Sequence, residues 1–94
     1  MNPDEPKSLN ESLWEFPCDY DLKVMGAAEH PMQEIVVDIV SRHVENFDHS
    51  KVKSRPSRTG KYVSITASFV FTNKEQVEAV YAELDARSEV AWKL

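Results

Sequence analysis

The stretch Gly60–Phe71, GKYVSITASFVF, alternates strictly between two kinds of side chain. One row is apolar and consists of Val63, Ile65, Ala67, Phe69 and Phe71. The other row is mostly hydroxylated and consists of Tyr62, Ser64, Thr66, Ser68 and Val70. Successive side chains of a strand point to opposite faces, so a period of two indicates a strand. The stretch therefore predicts a half-buried strand with one face on a core and the other in water.

Segments with helical spacing lie on both sides of this strand. Between residues 31 and 47, apolar side chains recur every three or four positions, as on the buried face of a helix. After the strand, Thr72 or Asn73 is expected to cap a second helix, and Glu75 or Gln76 to complete a capping box. The buried stripe of this second helix is predicted to consist of Val77, Val80, Tyr81 and Leu84.

Three shorter segments are predicted to be strands. Tyr20–Met25 alternates between apolar and polar residues, and Gly26 then frees the backbone for a turn. Lys51–Ser57 contains Pro56, which cannot donate a ladder hydrogen bond, so this strand belongs at the edge of a sheet. A last strand is expected at the C-terminal end, where there is an alternating row of Val90, Trp92 and Leu94.

The resulting order of elements is βαββαβ. Because crossover connections are right-handed, this order gives an α+β fold, the ferredoxin-like plait. Its four-stranded antiparallel sheet has the first and third strands in the centre and both helices on one face. Residues 1–13 hold few large apolar side chains and are expected to form a flexible tail, which leaves residues 14–94 for the domain.

Length and composition indicate one small globular domain. The chain has 94 residues, 41% of them hydrophobic, which is enough for a modest core. Its apolar runs are far shorter than the roughly 20 residues that a membrane span needs, and its polar N-terminus does not resemble a signal peptide. The single cysteine, Cys18, cannot form an internal disulfide. We therefore expect a cytoplasmic protein that does not contact a membrane.

The net charge of −5 is distributed unevenly along the chain. Residues 49–74 contain six of the eleven bases and no acid. A basic segment of this kind can capture an anion or an acidic protein surface. It can equally be a solvated edge strand whose lysines prevent association between sheets. The sequence leaves both interpretations open.

No constellation of side chains in the sequence requires a particular chemistry. Asp19 follows Cys18, and its negative charge disfavours a catalytic thiolate. The loop at residues 26–31 has one glycine and no arginine, unlike the phosphate-binding loop of an acylphosphatase. No metal-ligand pattern includes the histidines, which are His30, His43 and His49. We therefore predict no enzyme activity, cofactor or metal, and an active site shared between subunits is the enzymatic alternative left open.

Nucleic acid is not an expected partner either. An RNA-recognition module of this fold places several aromatic side chains on the open face of its sheet. The predicted open face carries Asp21, Lys23 and Met25 beside the hydroxylated row, so only Tyr62 could stack on a base. The negative net charge also repels phosphate.

Several blocks of this sequence are similar to the signature blocks of the YbeD-like family of small bacterial proteins. They are Phe16-Pro17-Cys18-Asp19, Leu22-Lys23-Val24-Met25-Gly26, and Arg55-Pro56-Ser57 followed by Gly60-Lys61-Tyr62-Val63-Ser64. The resemblance runs from about Trp14 to Leu94, with matching spacing between the blocks. It implies a compact plait similar to the amino-acid-sensing ACT domain, and a link to lipoate metabolism.

Two functions of different classes follow from these observations. The first is a regulatory module that binds a small molecule near the turn at Gly26–Glu29 and the start of the first helix, where anions are attracted. The ACT resemblance implies that this site lies at a homodimer interface, and its expected residues are Lys23, Met25, Gly26 and Glu29. The second is an adaptor that holds a protein with the open face and the basic hairpin, through Arg55, Ser57, Arg58, Gly60, Lys61 and Tyr62.

Overall fold

The computed structural model describes residues 15–93 and has the predicted element order. Its strands and helices are β1 (Cys18–Ala27), α1 (Met32–His43), β2 (Val52–Pro56), β3 (Tyr62–Phe71), α2 (Lys74–Ala86) and β4 (Val90–Lys93). All strand pairs are antiparallel, and the order across the sheet is β2-β3-β1-β4. The predicted plait is therefore confirmed, with Pro56 on an edge strand. The expected tail at residues 1–13 lies outside the described residues.

The core lies between one face of the sheet and the two helices. The apolar row of β3 points into it, since Ile65, Ala67 and Phe71 are each at most 1% exposed. Leu22 and Val24 of β1 lie beside them. The helices contribute Met32, Ile35, Val36, Ile39, Val40, Val80 and Leu84 to the same cluster. Each fully buried side chain of this size contributes roughly 1.5–3 kcal/mol through the hydrophobic effect.

Helix α1 ends earlier than the apolar pattern predicts. Val44 is already extended, and Asn46 has a φ of 59°, a conformation that asparagine tolerates better than most residues. The pattern continues because Val44 is still buried and Phe47 still packs on the core from the loop. The sequence pattern thus reports burial correctly but places the end of the helix four residues too late.

The start of α2 is capped by two of the four candidate residues, in a variant of the predicted capping box whose second bond comes from the residue before the cap. The side-chain Oδ1 of Asn73 accepts a hydrogen bond from the backbone amide of Gln76 at 2.9 Å. The side-chain Oε1 of Gln76 accepts from the backbone amide of Thr72 at 2.7 Å. The Nε2 of Gln76 also donates to the backbone carbonyl of His43 at 3.1 Å. Gln76 therefore ties the start of α2 to the end of α1.

Gly26 lies inside β1, and the prediction that it frees a turn was wrong. The turn comes after Ala27, whose carbonyl accepts from the amide of His30 at 3.1 Å. A Cβ atom at Gly26 would lie 2.5 Å from the carbonyl oxygen of Glu89 and 2.5 Å from the sulfur of Met32. Glycine is needed here because α1 and the loop before β4 pack directly on the backbone.

A bulge in β4 breaks the alternation predicted for the C-terminal strand. Met25 lies opposite Trp92, but the next residue, Gly26, lies opposite Val90, so Ala91 is an extra residue. Val90 consequently packs on the core, whereas Trp92 points to the opposite face and is 54% exposed. The sequence placed Val90 and Trp92 on the same side of the strand, and that prediction was wrong.

An ionic cluster joins the outer faces of the two helices. The guanidinium of Arg42 on α1 binds Asp38 and, across the helix interface, Glu83 on α2. His43 contacts Glu83 through its Nε2, so this histidine has a carboxylate partner on the other helix. Hydrogen bonds from Arg42 and then His43 lower the pKa of Glu83 to about 2.

Candidate functional site

The sheet has one face that the helices leave uncovered, which we call the open face. Strand register defines it, because residues paired across strands share a face. From β1 and β2 it receives Asp19, Asp21, Lys23, Met25, Lys53 and Arg55. From β3 and β4 it receives Tyr62, Ser64, Thr66, Ser68, Val70 and Trp92. The open face predicted from the sequence is confirmed and is enlarged by Trp92, Lys53 and Arg55.

The end of the open face that lies toward the β2–β3 hairpin is basic and partly apolar. One row across the sheet contains Arg55, Ser64, Met25 and Trp92, in that order. The next row contains Lys53, Thr66 and Lys23. We call Lys23, Met25, Lys53, Arg55, Tyr62 and Trp92 the basic half of the open face. It combines three cations and three large apolar or aromatic side chains, and it includes no carboxylate.

The other end of the open face is acidic. It carries Asp19 opposite Val70, and Asp21 opposite Ser68. The hydroxyl of Ser68 donates to Asp21 Oδ1 at 2.7 Å, so this carboxylate already has a protein partner. Charge therefore changes sign along the length of the sheet, with cations near the hairpin and carboxylates near the start of β1.

Exposed apolar surface is concentrated on the open face. Within residues 15–93, the large hydrophobic side chains that stay exposed are Tyr62, Val70 and Trp92, and all three point to this face. Trp92 lies directly opposite Met25, and Tyr62 is on the adjoining stretch of β3. Tyrosine and tryptophan are the residues most enriched at the energetic centres of protein interfaces. The basic half thus has the composition of a binding surface.

The hairpin between β2 and β3 owes its shape to two of the residues that the sequence assigned to partner binding. Gly60 has a φ of 79°, which favours glycine, and its amide donates to the carbonyl of Ser57 at 3.0 Å. The Ser57 amide donates to the Tyr62 carbonyl at 2.8 Å, and the Ser57 hydroxyl accepts from the Tyr62 amide at 3.1 Å. Ser57 and Gly60 therefore build the turn, while Arg58 and Lys61 are exposed at its tip.

The four residues predicted to bind a small molecule do not form one site. Lys23 and Met25 are on the open face, whereas Gly26 is buried beneath Met32 and Glu89. Glu29 lies beyond the strand, at a shallow hollow of about 370 Å³ that it shares with Ala27, Ala28, Gly60, Lys61 and Tyr62. The amide of Ala28 donates to the carbonyl of Lys61 at 2.9 Å, which holds this turn against the hairpin. Close approach of a ligand to Gly26 is therefore blocked by the protein itself.

A larger groove of about 1000 Å³ separates α1 from the edge strand β2. It contains none of the four residues predicted for a small molecule, although its lining includes the turn at Ala28 and the start of α1, where such a molecule was expected. Its walls also include the carboxylates of Glu34 and Asp38. The hydroxyl of Ser41 lies 3.1 Å from His49 Nε2 at one end, a contact that the sequence did not suggest. A serine nucleophile needs its base to be oriented by a third group. In the described part of the chain, no carboxylate is hydrogen-bonded to His49, so the pair does not amount to a triad.

Across positions 15–93, no group of three His, Cys, Asp or Glu side chains is arranged to hold a metal ion.

Neither helix described here has both the length and the apolar character needed to cross a bilayer.

Sequence reasoning missed Trp92, which is the most exposed large hydrophobic side chain of the described residues. Its position depends on the bulge at Ala91. This bulge contains no glycine or proline that would predict it from the sequence. The basic segment, in contrast, was recognised, and its Lys53 and Arg55 do reach the open face. The neighbouring Lys93 confirms the orientation of Trp92, because it points to the helix side and pairs with Asp85 of α2.

Comparisons with known proteins agree with the fold and with the resemblance noted in the sequence. Residues 11–94 match the family described as a protein of unknown function, DUF493. A UPF0250 protein of Paraburkholderia phytofirmans is 39% identical over 77 residues, which cover 82% of this chain and 86% of the relative. One from Hahella chejuensis is 42% identical over 76 residues, which cover 81% and 84%.

The solution structure of protein HP0495 from H. pylori has a similar fold. It superposes with a TM-score of 0.71 at 16% sequence identity and covers 100% of this chain and 94% of that one. This likeness supports the plait, and the matches in sequence establish the relationship. The chain belongs to the DUF493/UPF0250 family of small bacterial proteins, the YbeD-like family that its signature blocks indicated.

Proposed function

We propose that this protein is a non-enzymatic interaction module that binds a protein partner through the basic half of its open face. The observation that carries the proposal is the concentration of exposed apolar side chains on this one face. Trp92 and Tyr62 are 54% and 46% exposed. Met25 of β1 lies opposite Trp92 of β4. The proposal corresponds to the adaptor hypothesis drawn from the sequence.

The composition of this surface suits a partner that associates and dissociates. The aromatic side chains offer large, rigid contact areas, and the hydroxyls of Ser64 and Thr66 on the same face offer hydrogen bonds. The cations can steer an oppositely charged partner toward the face and raise its rate of association. An obligate interface would be more continuously apolar than this mixed surface.

A regulatory small-molecule site has less support from the same geometry. Its four expected residues are divided between the open face, the buried backbone and an exposed turn. The hollow beside Glu29 is shallow, and Met32 and Glu89 block the approach to Gly26. The sensing role implied by the ACT resemblance and the link to lipoate metabolism have no counterpart in the contacts of these residues.

Photo-crosslinking in the native host cells tests the proposal directly. A benzoylphenylalanine replaces Trp92 in one variant and, as a control on the helix side, the exposed Glu78 in another. We expect a discrete crosslink to another protein from position 92 and none from position 78. The proposal is overturned if position 92 crosslinks to no protein, if it crosslinks only to a second copy of this chain, or if both positions give the same products.

A further inference from the structure

We infer that the segment which docks on the basic half is an extended acidic peptide in which carboxylates alternate with other residues and follow one large apolar side chain. This inference rests on the proposed function and adds the chemistry of the partner. Three features of the surface support it: cations without carboxylate partners, apolar anchors at one side of the cation rows, and the spacing between the two.

The cations of the basic half have no carboxylate partner within the described residues. Arg42, Arg87 and Lys93 each contact a carboxylate, whereas Lys51, Arg58 and Lys61 of the basic segment have no such contact among the described residues. Residues 15–93 contain no such pair for the basic half, which leaves three cations available to a ligand, namely Lys23, Lys53 and Arg55. Three neighbouring positive charges repel one another, and this repulsion is relieved when carboxylates bind between them.

The apolar anchors lie at the opposite side of the sheet from Arg55. Trp92 is on the edge strand β4, Met25 is next to it on β1, and Arg55 is on the other edge strand, β2. Three strand separations lie between Trp92 and Arg55, which correspond to about 14 Å at roughly 4.8 Å each. A ligand that crosses the strands from β4 to β2 therefore meets the apolar anchors first and Arg55 last, and Lys23 and Lys53 lie beside its path in the neighbouring row.

The spacing of the surface fixes the spacing in the ligand. An extended peptide rises by about 3.3 Å per residue and points alternate side chains to the same side. An apolar side chain at position i that rests on Trp92 and Met25 thus brings positions i+2 and i+4 about 7 and 13 Å further across the sheet. A carboxylate at position i+2 then lies over β3, within reach of Lys23 and Lys53 on either side of Thr66, and a carboxylate at position i+4 reaches Arg55.

Nucleic acid fits the same face less well. A line of phosphates that follows the strand direction would run from the basic half onto the acidic half, where it would meet Asp21 and Asp19. The formal charge of the chain is −5, which opposes polyanion binding beyond the basic half. A short peptide can confine its charge to the basic half, whereas a polynucleotide cannot.

Tryptophan fluorescence of the whole chain tests the inference. The sequence has two tryptophans, so Trp14→Phe leaves Trp92, at the β4 side of the basic half, as the sole tryptophan reporter. The probe is a nine-residue capped peptide of Ser and Gly with one Phe and with Glu at the second and fourth positions after it. The same peptide with Gln in place of Glu is the charge control, and the single-stranded octamer of thymidylate is the alternative ligand.

We expect the Glu peptide to change the emission of Trp92 and to bind at least 10-fold more tightly than the Gln peptide at low salt. Arg55→Glu should weaken its binding at least 10-fold. Lys74→Glu on α2, with the same change in net charge, should weaken it less than 2-fold. Higher salt should reduce the difference in affinity between the Glu and Gln peptides, because exposed charges are screened.

Equal affinity for the Glu and Gln peptides overturns the inference, as does tighter binding of the thymidylate octamer. No binding of the Glu peptide also overturns it. These failures are separable from failure of the proposed function. A crosslink from position 92 to another protein in cells supports the proposed function even when the partner segment is not acidic.

Discussion

Met25 on β1 and Trp92 on β4 lie directly opposite each other on the open face of the sheet. The pair exists because the bulge at Ala91 allows Val90 to face the core while Trp92 faces away. In a strand a shift of one residue moves every side chain to the other face. The bulge therefore places Trp92, the largest exposed side chain, close to the cation of β1, because Lys23 is two residues from Met25 on that strand.

Replacement of Trp92 should separate binding from stability. Trp92 is 54% exposed and pairs with a single strand, so we expect Trp92→Ala to lower the free energy of unfolding by less than about 1 kcal/mol. The fully buried Leu22 provides the contrast, since Leu22→Ala should cost about 2–5 kcal/mol. Urea denaturation of both variants measures the difference. Equal losses would mean that Trp92 is a structural residue rather than a binding anchor.

The two glycines of the chain should respond to alanine for different reasons. Gly26→Ala places a Cβ 2.5 Å from a backbone carbonyl and from Met32, so we expect a loss of about 1–3 kcal/mol from overpacking. Gly60→Ala meets no atom within 4 Å but must adopt a φ of 79°, which costs about 1–2 kcal/mol.

Asparagine at each position distinguishes these two causes. Asparagine tolerates a positive φ, so Gly60→Asn should recover much of the stability lost in Gly60→Ala. Gly26→Asn should be at least as unstable as Gly26→Ala, because its side chain is larger. Thermal unfolding of the four variants gives the comparison. Recovery by asparagine at position 26 would show that backbone conformation, and not space, requires glycine there.

Much of the fold follows from local patterns in the sequence. The alternation in the strands, the helical spacing of α1 and α2 and the position of Pro56, together with the right-handedness of crossover connections, give the order of elements and the arrangement of the sheet. These patterns are reliable because each records which side chains face the core. They do not record where a hydrogen-bond ladder stops, which is why α1 ends at His43 while the apolar pattern runs on to Phe47.

The candidate site is less accessible to sequence reasoning because it depends on the packing of distant elements. Gly26 looked suited to a ligand, yet its open side is occupied by Met32 and by the carbonyl of Glu89. Trp92 gave no signal, because the bulge that turns it outward is visible only in the pairing of β4 with β1. The cations of β2 could be identified, since a run of bases without acids needs no tertiary information.

Gln76 links the two helices, and this link should contribute at least as much to the free energy of unfolding as the capping bond of Asn73. Asn73→Ala removes one capping bond and should cost about 1 kcal/mol. Gln76→Ala removes the bonds to Thr72 and to the carbonyl of His43, so we expect an equal or larger loss. Urea denaturation measures both losses. A cost for Gln76→Ala well below that for Asn73→Ala would show that water replaces its bonds without loss.

Acid should weaken the helix pair through Glu83. Arg42 and His43 lower the pKa of Glu83 from its ordinary value of 4.5 to about 2, so the unfolded chain binds a proton at this site that the folded chain does not. The stabilisation is complete above pH 4.5 and is lost as the pH falls toward 2. Glu83→Gln removes this contribution, so its stability should be lower than wild type at pH 6 and should fall less steeply between pH 4.5 and 2.

Stability curves measured by urea denaturation at successive pH values provide the check. Glu78→Gln is the matched control, because Glu78 lies on the same helix, is exposed and does not belong to the cluster of Arg42, His43 and Glu83. Its curve should stay parallel to that of the wild type. The Asp38 carboxylate, which also contacts Arg42, keeps that guanidinium paired in the Glu83 variant. If the Glu83→Gln curve runs parallel to the wild type down to pH 2, then Glu83 does not couple protonation to the packing of α1 on α2.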